Sequence, residues 1–128
     1  MEWTSCLVFG LRETLYAVSA CHVREVFLLP ELTPVEESPP WMAGVVNLRG
    51  KILPVIDLNV RFGHPFRPYA LTDCLIVFEE NGFQAGAVVN EVRDVMNVPP
   101  EAVEDVSSYG RDLGIHPRLV AGAARMGA

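Results

Sequence analysis

An internal repeat constrains this chain more than any other feature. Val23-Arg24-Glu25-Val26 recurs as Val92-Arg93-Asp94-Val95, Leu7-Val8-Phe9 as Ile76-Val77-Phe78, and Pro30 as Pro99, all at one constant offset. Three matches at a single spacing are hard to ascribe to chance. After a longer loop, Pro39-Pro40-Trp41-Met42-Ala43-Gly44 matches Pro117-Arg118-Leu119-Val120-Ala121-Gly122. The expected organisation is two related units in tandem, about 1–63 and 71–128, with a boundary near 64–72. Each unit is too small to bury a generous core alone, so the two should share one.

The units read as mainly β. Apolar stretches are short, rich in Val, Ile, Leu and Phe, and broken by Gly, Pro or charged residues. Cys6 to Leu11 and Leu15 to Ala20 flank a hairpin break at Arg12-Glu13-Thr14, and Val23 to Leu29 is the next strand. Pro30, Pro34, Pro39 and Pro40 then mark a long irregular connection, and Trp41 to Gly44 fits one short helical turn. Val45 to Leu48 and Ile52 to Ile56 form a tight hairpin around Arg49-Gly50, where the glycine supplies a positive φ. Pro54 cannot donate to a ladder, so its strand should be irregular on one side. Asp57 is placed to cap a short helix from Leu58 to Phe62, ended by Gly63 and Pro65.

The repeat also predicts a gap. Leu48 corresponds to Met126 and Gly50 to Ala128, so the second unit lacks a counterpart of Ile52 to Leu58 in this sequence. The expected organisation is therefore two small β units, the second without its final strand and short helix. An open strand edge invites pairing, so self-association or strand exchange between copies is expected there.

Charge and cysteine usage exclude several functions. Sixteen acidic residues against ten basic ones give a net charge of −6, and Lys51 is the single lysine. Nucleic acid and anionic lipid are poor partners for such a chain. No apolar run approaches a membrane span, Met1-Glu2-Trp3-Thr4 does not open a signal peptide, and three cysteines do not close a disulfide set. A reducing cytoplasm is the expected compartment. Cys6, Cys21 and Cys74 with His22, His64 and His116 could supply a thiol or metal enzyme, but no C-x-x-C or H-E-x-x-H spacing is present. Cys21 and His22 are adjacent, so on a strand they would point to opposite faces. Cys6 and Cys74 read as small buried hydrophobes. Adjacent carboxylates such as Glu36-Glu37 and Glu79-Glu80 read as solvated. No catalytic residue, metal ligand or cofactor is expected.

The run Gly44-Val45-Val46-Asn47-Leu48-Arg49-Gly50-Lys51-Ile52-Leu53-Pro54-Val55-Ile56-Asp57-Leu58, with Val23-Arg24-Glu25-Val26, Trp41-Met42-Ala43-Gly44 and Gly86-Ala87-Val88-Val89, resembles the CheW-like family. That family includes chemotaxis coupling proteins and the regulatory domain of their histidine kinases. The resemblance covers roughly Ser5 to Gly122. It implies two SH3-like five-stranded barrels around a shared core. It also implies a non-catalytic adaptor joining chemoreceptor tips to a CheA-type kinase. The family usually continues with an apolar strand and a final helix, so an incomplete regulatory or decoy module, or a piece of a longer protein, is the alternative.

The resemblance places Val23, Glu25, Gly44, Arg49 and Ile52 at a receptor groove between the units. Kinase contact would fall on the second unit. On the residues alone, Arg49 is either a solvated turn residue or the partner of Glu25, since its planar fork suits bidentate contact with a carboxylate; the resemblance selects the pairing. Gly44 is either an ordinary turn glycine or a site of close approach by another chain. Val23 and Ile52 read as core on composition and become groove residues only through the resemblance. Trp41 and Met42 either anchor a partner or cap the core.

Overall fold

A computed structural model describes residues 4–99, 104–105 and 122–125. In chain order the elements are β1 (Thr4–Leu11), β2 (Thr14–Ser19), a 3-10 turn (Ala20–His22), β3 (Val23–Leu28), β4 (Met42–Leu48), β5 (Lys51–Asp57), α1 (Leu58–Arg61), β6 (Cys74–Glu80), β7 (Phe83–Val89), β8 (Glu91–Val98), β9 (Glu104–Asp105) and β10 (Gly122–Arg125). They form two five-stranded sheets, ordered β8-β1-β2-β10-β9 and β3-β6-β7-β5-β4.

The sheets explain why the β strands are apolar without alternation. On β6, Leu75 and Val77 join a cluster with Val46, Leu53, Val55 and Val88. Their neighbours Ile76 and Phe78 join another with Leu7, Phe9, Leu11, Val18 and Val89. Successive side chains point to opposite faces, so a strand buried on both faces must be apolar throughout. The second sheet wraps around the first of these clusters: β3 adds Phe27, β4 adds Ala43, Val46 and Leu48, β5, β6 and β7 supply its other strand residues, and the β3–β4 connection adds Leu29 and Leu32. The other cluster lies between the two sheets and draws on both halves, which is the shared core expected from the repeat.

The halves do not map one to one onto the sheets. β3 pairs with β6, and β8 pairs with β1. These two ladders are equivalent under the repeat. Val26 lies opposite Ile76, and Val95 opposite Leu7; Val23 lies opposite Phe78, and Val92 opposite Phe9. Each ladder carries a register irregularity at the same place, between Val23 and Glu25 in one and between Leu7 and Phe9 in the other. Each half thus donates its third strand to the hairpin of the other.

Several local expectations change. Trp41 to Gly44 is not a helical turn, because Met42 already pairs with Ile56 and the Trp41 carbonyl accepts from Asp57 N at 2.8 Å. Cys21 and His22 lie in the 3-10 turn, not on a strand. Pro54 faces Val45 across the β4–β5 ladder, and the parallel ladder from β5 to β7 begins one residue later, at Val55. The missing donor therefore falls outside that ladder. Asp57 caps α1, its Oδ1 accepting from Val60 N at 3.2 Å. β10 lies beside β2 in antiparallel register, Ala123 opposite Val18. The expected counterparts of Leu48 and Gly50, Met126 and Ala128, lie outside the described residues.

Candidate functional site

The β4–β5 hairpin turns on two left-handed residues, Arg49 (φ 53°) and Gly50 (φ 84°), and the Asn47 side chain accepts from Gly50 N at 2.9 Å. The β6–β7 turn uses the same pair of left-handed positions with Asn81 (φ 52°) and Gly82 (φ 83°). Asparagine tolerates this backbone region far better than arginine does. The β6–β7 turn therefore follows ordinary turn chemistry, whereas the β4–β5 turn at Arg49 and the β1–β2 turn at Arg12 (φ 59°) each place a long cation where the backbone disfavours it.

That cation has a defined partner. Arg49 Nη1 donates to Glu25 Oε2 at 2.9 Å, and Nη2 donates to Oε1 at 2.5 Å. The fork is bidentate, which adds geometric specificity to the charge. The hydrogen bonds from Arg49 hold the Glu25 carboxyl below its ordinary range and raise the guanidinium in return. Both groups are solvent-accessible, so the pair contributes orientation more than stability. β3 and β4 are opposite edges of one sheet. The Glu25–Arg49 pair joins the β4–β5 turn to β3 and closes the wrapped sheet at this end.

The other residues named by the resemblance take different places. Ile52, on β5 just past the turn, is 60% exposed. Exposure on this scale contradicts a core role on composition and leaves an apolar side chain beside the clamp. Val23 is half-buried against the shared core. Gly44 is buried with φ 146°, and a Cβ there would lie 2.5 Å from the Thr33 carbonyl oxygen. Thr33 and Val45 exchange two backbone hydrogen bonds at 2.9 Å. The chain that approaches Gly44 is thus this protein's own connection between β3 and β4. Trp41 packs on the shared core and carries the Arg61 guanidinium 5.5 Å from its ring centre.

Two features escaped the sequence. Leu28, on β3, is 68% exposed and lies with Val26 on the face of that strand opposite to Glu25. A buried polar network also joins the halves. Asn90 Oδ1 accepts from Arg12 N at 2.6 Å and from Asn59 Nδ2 at 3.0 Å, and Asn90 Nδ2 donates to Asp73 Oδ1 at 3.3 Å. Asp57 Oδ2 accepts from the Tyr69 hydroxyl at 2.9 Å, and Asp73 Oδ2 accepts from Ala70 N at 2.8 Å. Asp57, Asn59 and Asp73 are almost fully buried. Burial of the Tyr69 hydroxyl, and then the Asp57 carboxylate that accepts from it, push its pKa well up. No sequence spacing announces this network, because its members come from four separate segments.

Among the described residues no group of three His, Cys, Asp or Glu side chains is placed to hold a metal. None of their helices is long and apolar enough to cross a membrane. Burial pushes up the thiols of Cys6 and Cys74. These thiols are poorer nucleophiles than free cysteine at neutral pH.

Residues 5–128 match the model of the CheW-like domain. The chain is 32% identical to a probable chemotaxis protein CheW of Rhizobium etli, over 84% of this chain and 69% of that protein. It is 33% identical to the chemotaxis protein CheW of Bacillus subtilis, over 77% of this chain and 63% of that one. It thus spans between six and seven tenths of the length of these relatives. A solved structure, the scaffolding protein TtCheW of Thermoanaerobacter tengcongensis, superposes with a TM-score of 0.73 at 36% identity, covering 81% of this chain and 70% of that one. With the family model spanning nearly the whole sequence and the fold matched at this identity, the chain belongs to the CheW-like domain family.

Proposed function

We propose that this protein is a non-catalytic, cytoplasmic adaptor that couples methyl-accepting chemoreceptor tips to the regulatory domain of a CheA-type histidine kinase. The observation that carries the proposal is the forked Glu25–Arg49 pair. A forked guanidinium–carboxylate pair that stays solvent-accessible at the edge of a sheet contributes little to stability, which favours a role in recognition. The names of the relatives, chemotaxis proteins and a scaffolding protein, supply the kind of partner.

Within this proposal Glu25, Arg49 and Ile52 face the receptor, Val23 supports them from the shared core, and Gly44 shapes the groove through its backbone. The kinase binds the second half. The test is a mixture of the full chain with a receptor-tip fragment and a kinase regulatory fragment. A ternary complex is expected. Binding to one partner alone would replace the adaptor with the decoy alternative, and Arg49→Ala should weaken receptor binding while leaving the fold intact.

A further inference from the structure

The two exchanged ladders carry an inference about a second copy of this chain. Each half has its hairpin, β1–β2 or β6–β7, completed by the third strand of the other half, at equivalent registers. A single segment, residues 62–73, joins the halves. It is largely exposed, with Leu71 97% accessible. Its ends are anchored, Phe62 against Tyr16 and the shared core, and the buried Asp73 by Leu29 N to its carbonyl and by Asn90; between them the ties beyond local turns are Arg12 Nη2 to the Pro65 carbonyl and the Tyr69 hydroxyl to Asp57. All the large terms, the two ladders, the shared core and the Asn59–Asn90 bond, lie between the halves and not within the segment.

We propose that two molecules exchange halves, with residues 62–73 opening as the hinge and the first half of each chain pairing with the second half of the other. The exchanged pair reproduces both ladders and the shared core, so it differs from the single-chain form mainly in the hinge. A short flexible tether gives an effective concentration on the order of millimolar. The closed form therefore dominates at micromolar concentration, and the exchanged pair is reached when chains fold together at high concentration. Once formed it persists, because reverting requires both cores to open. The exchange itself does not depend on the adaptor proposal. If that proposal holds, the pair presents two Glu25–Arg49 sites and becomes a bivalent coupler.

Complementation between two full-length variants tests this. Leu7→Asp and Ile76→Asp each place a charge in the shared core, on equivalent strands of opposite halves. In an exchanged pair, the first half of the Ile76→Asp chain and the second half of the Leu7→Asp chain together make one undamaged unit. The two variants, unfolded together in urea and refolded at high concentration, should yield a 1:1 dimer by native mass spectrometry, with a fraction melting at the wild-type temperature. Neither variant refolded alone should show that fraction. A mixture whose melting curve equals the sum of the separate variants would overturn the proposal.

Discussion

Gly44→Ala is the substitution on which the geometry makes its sharpest quantitative demand. A Cβ at Gly44 would sit 2.5 Å from the Thr33 carbonyl oxygen and 3.1 Å from its carbon, both backbone atoms. No side-chain rotation relieves that contact. The φ of 146° adds strain of about 1–3 kcal/mol for any residue with a Cβ. Moving Thr33 away sacrifices two backbone hydrogen bonds to Val45, each worth about 1 kcal/mol net. Together the expected loss is about 3–5 kcal/mol, against a total stability on the order of 5–15 kcal/mol for a domain. At roughly 3–4 °C per kcal/mol for a chain of this size, the melting temperature should fall by about 10–20 °C. Gly50→Ala is the control: its φ of 84° is also left-handed, but a Cβ there meets nothing within 4 Å. It should cost about 1 kcal/mol, from the backbone alone. Urea unfolding followed by circular dichroism measures both. Equal losses in the two variants would refute the close-approach argument and return Gly44 to the status of an ordinary turn glycine.

The remaining expectations concern the clamp and the network. Arg49→Asn should keep or raise the melting temperature, because Asn suits the left-handed turn, while receptor binding falls; a variant that is destabilised and still binds would reverse both assignments. Glu25 is depressed by its hydrogen bonds from Arg49, so the clamp's contribution is fully present above the ordinary glutamate range and disappears as pH falls below about 4. In an acid titration of stability, Glu25→Gln should lack that component and be otherwise parallel to wild type. Tyr69→Phe leaves the buried Asp57 Oδ2 without its donor and should cost about 1–2 kcal/mol by urea unfolding. The raised Tyr69 hydroxyl stabilises the fold below the ordinary tyrosine value, and that contribution is lost as pH rises above about 10. Ultraviolet titration should therefore show one tyrosinate that forms only as the protein unfolds.

The parts legible in the sequence are those with a local physical signature. The Arg49-Gly50 turn, the Asp57 cap and the β1–β2 hairpin each depend on a few adjacent residues with fixed conformational preferences. The Glu25–Arg49 pair needed the family resemblance, because 24 positions separate its partners and only the wrapping of the sheet brings them together. The apolar repeat announced a shared core but not its topology. Leu7-Val8-Phe9 and Ile76-Val77-Phe78 are equally apolar on both faces, so their pattern does not say which strand lies alongside. The start of β4 at Met42 went unseen for a related reason: its partner Ile56 lies beyond the turn, and Pro39-Pro40 masks the entry to the strand. The network around Asn90 was invisible because each member is an unremarkable polar residue until four segments meet.

The same exchange of strands bears on how an adaptor of this size can connect two partners. The proposed receptor site rests on β3 and the β4–β5 turn, but β3 is held by β6, a strand of the half assigned to the kinase. In the other direction β8 of that half is held by β1. Neither site can shift on its strand without loading a ladder that belongs to the other half. Packed interiors transmit such displacements because they have little free volume to absorb them. Asn90 strengthens the link, since it ties the β1–β2 turn, α1 and Asp73 together where β7 passes into β8. Two independent units joined by a tether would bring their partners close yet leave their orientations uncoupled. Units that complete each other's sheets fix the angle between the partners as well as the distance. On this argument Asn90→Ala should disturb coupling in a reconstituted array more than it weakens binding to either partner measured separately.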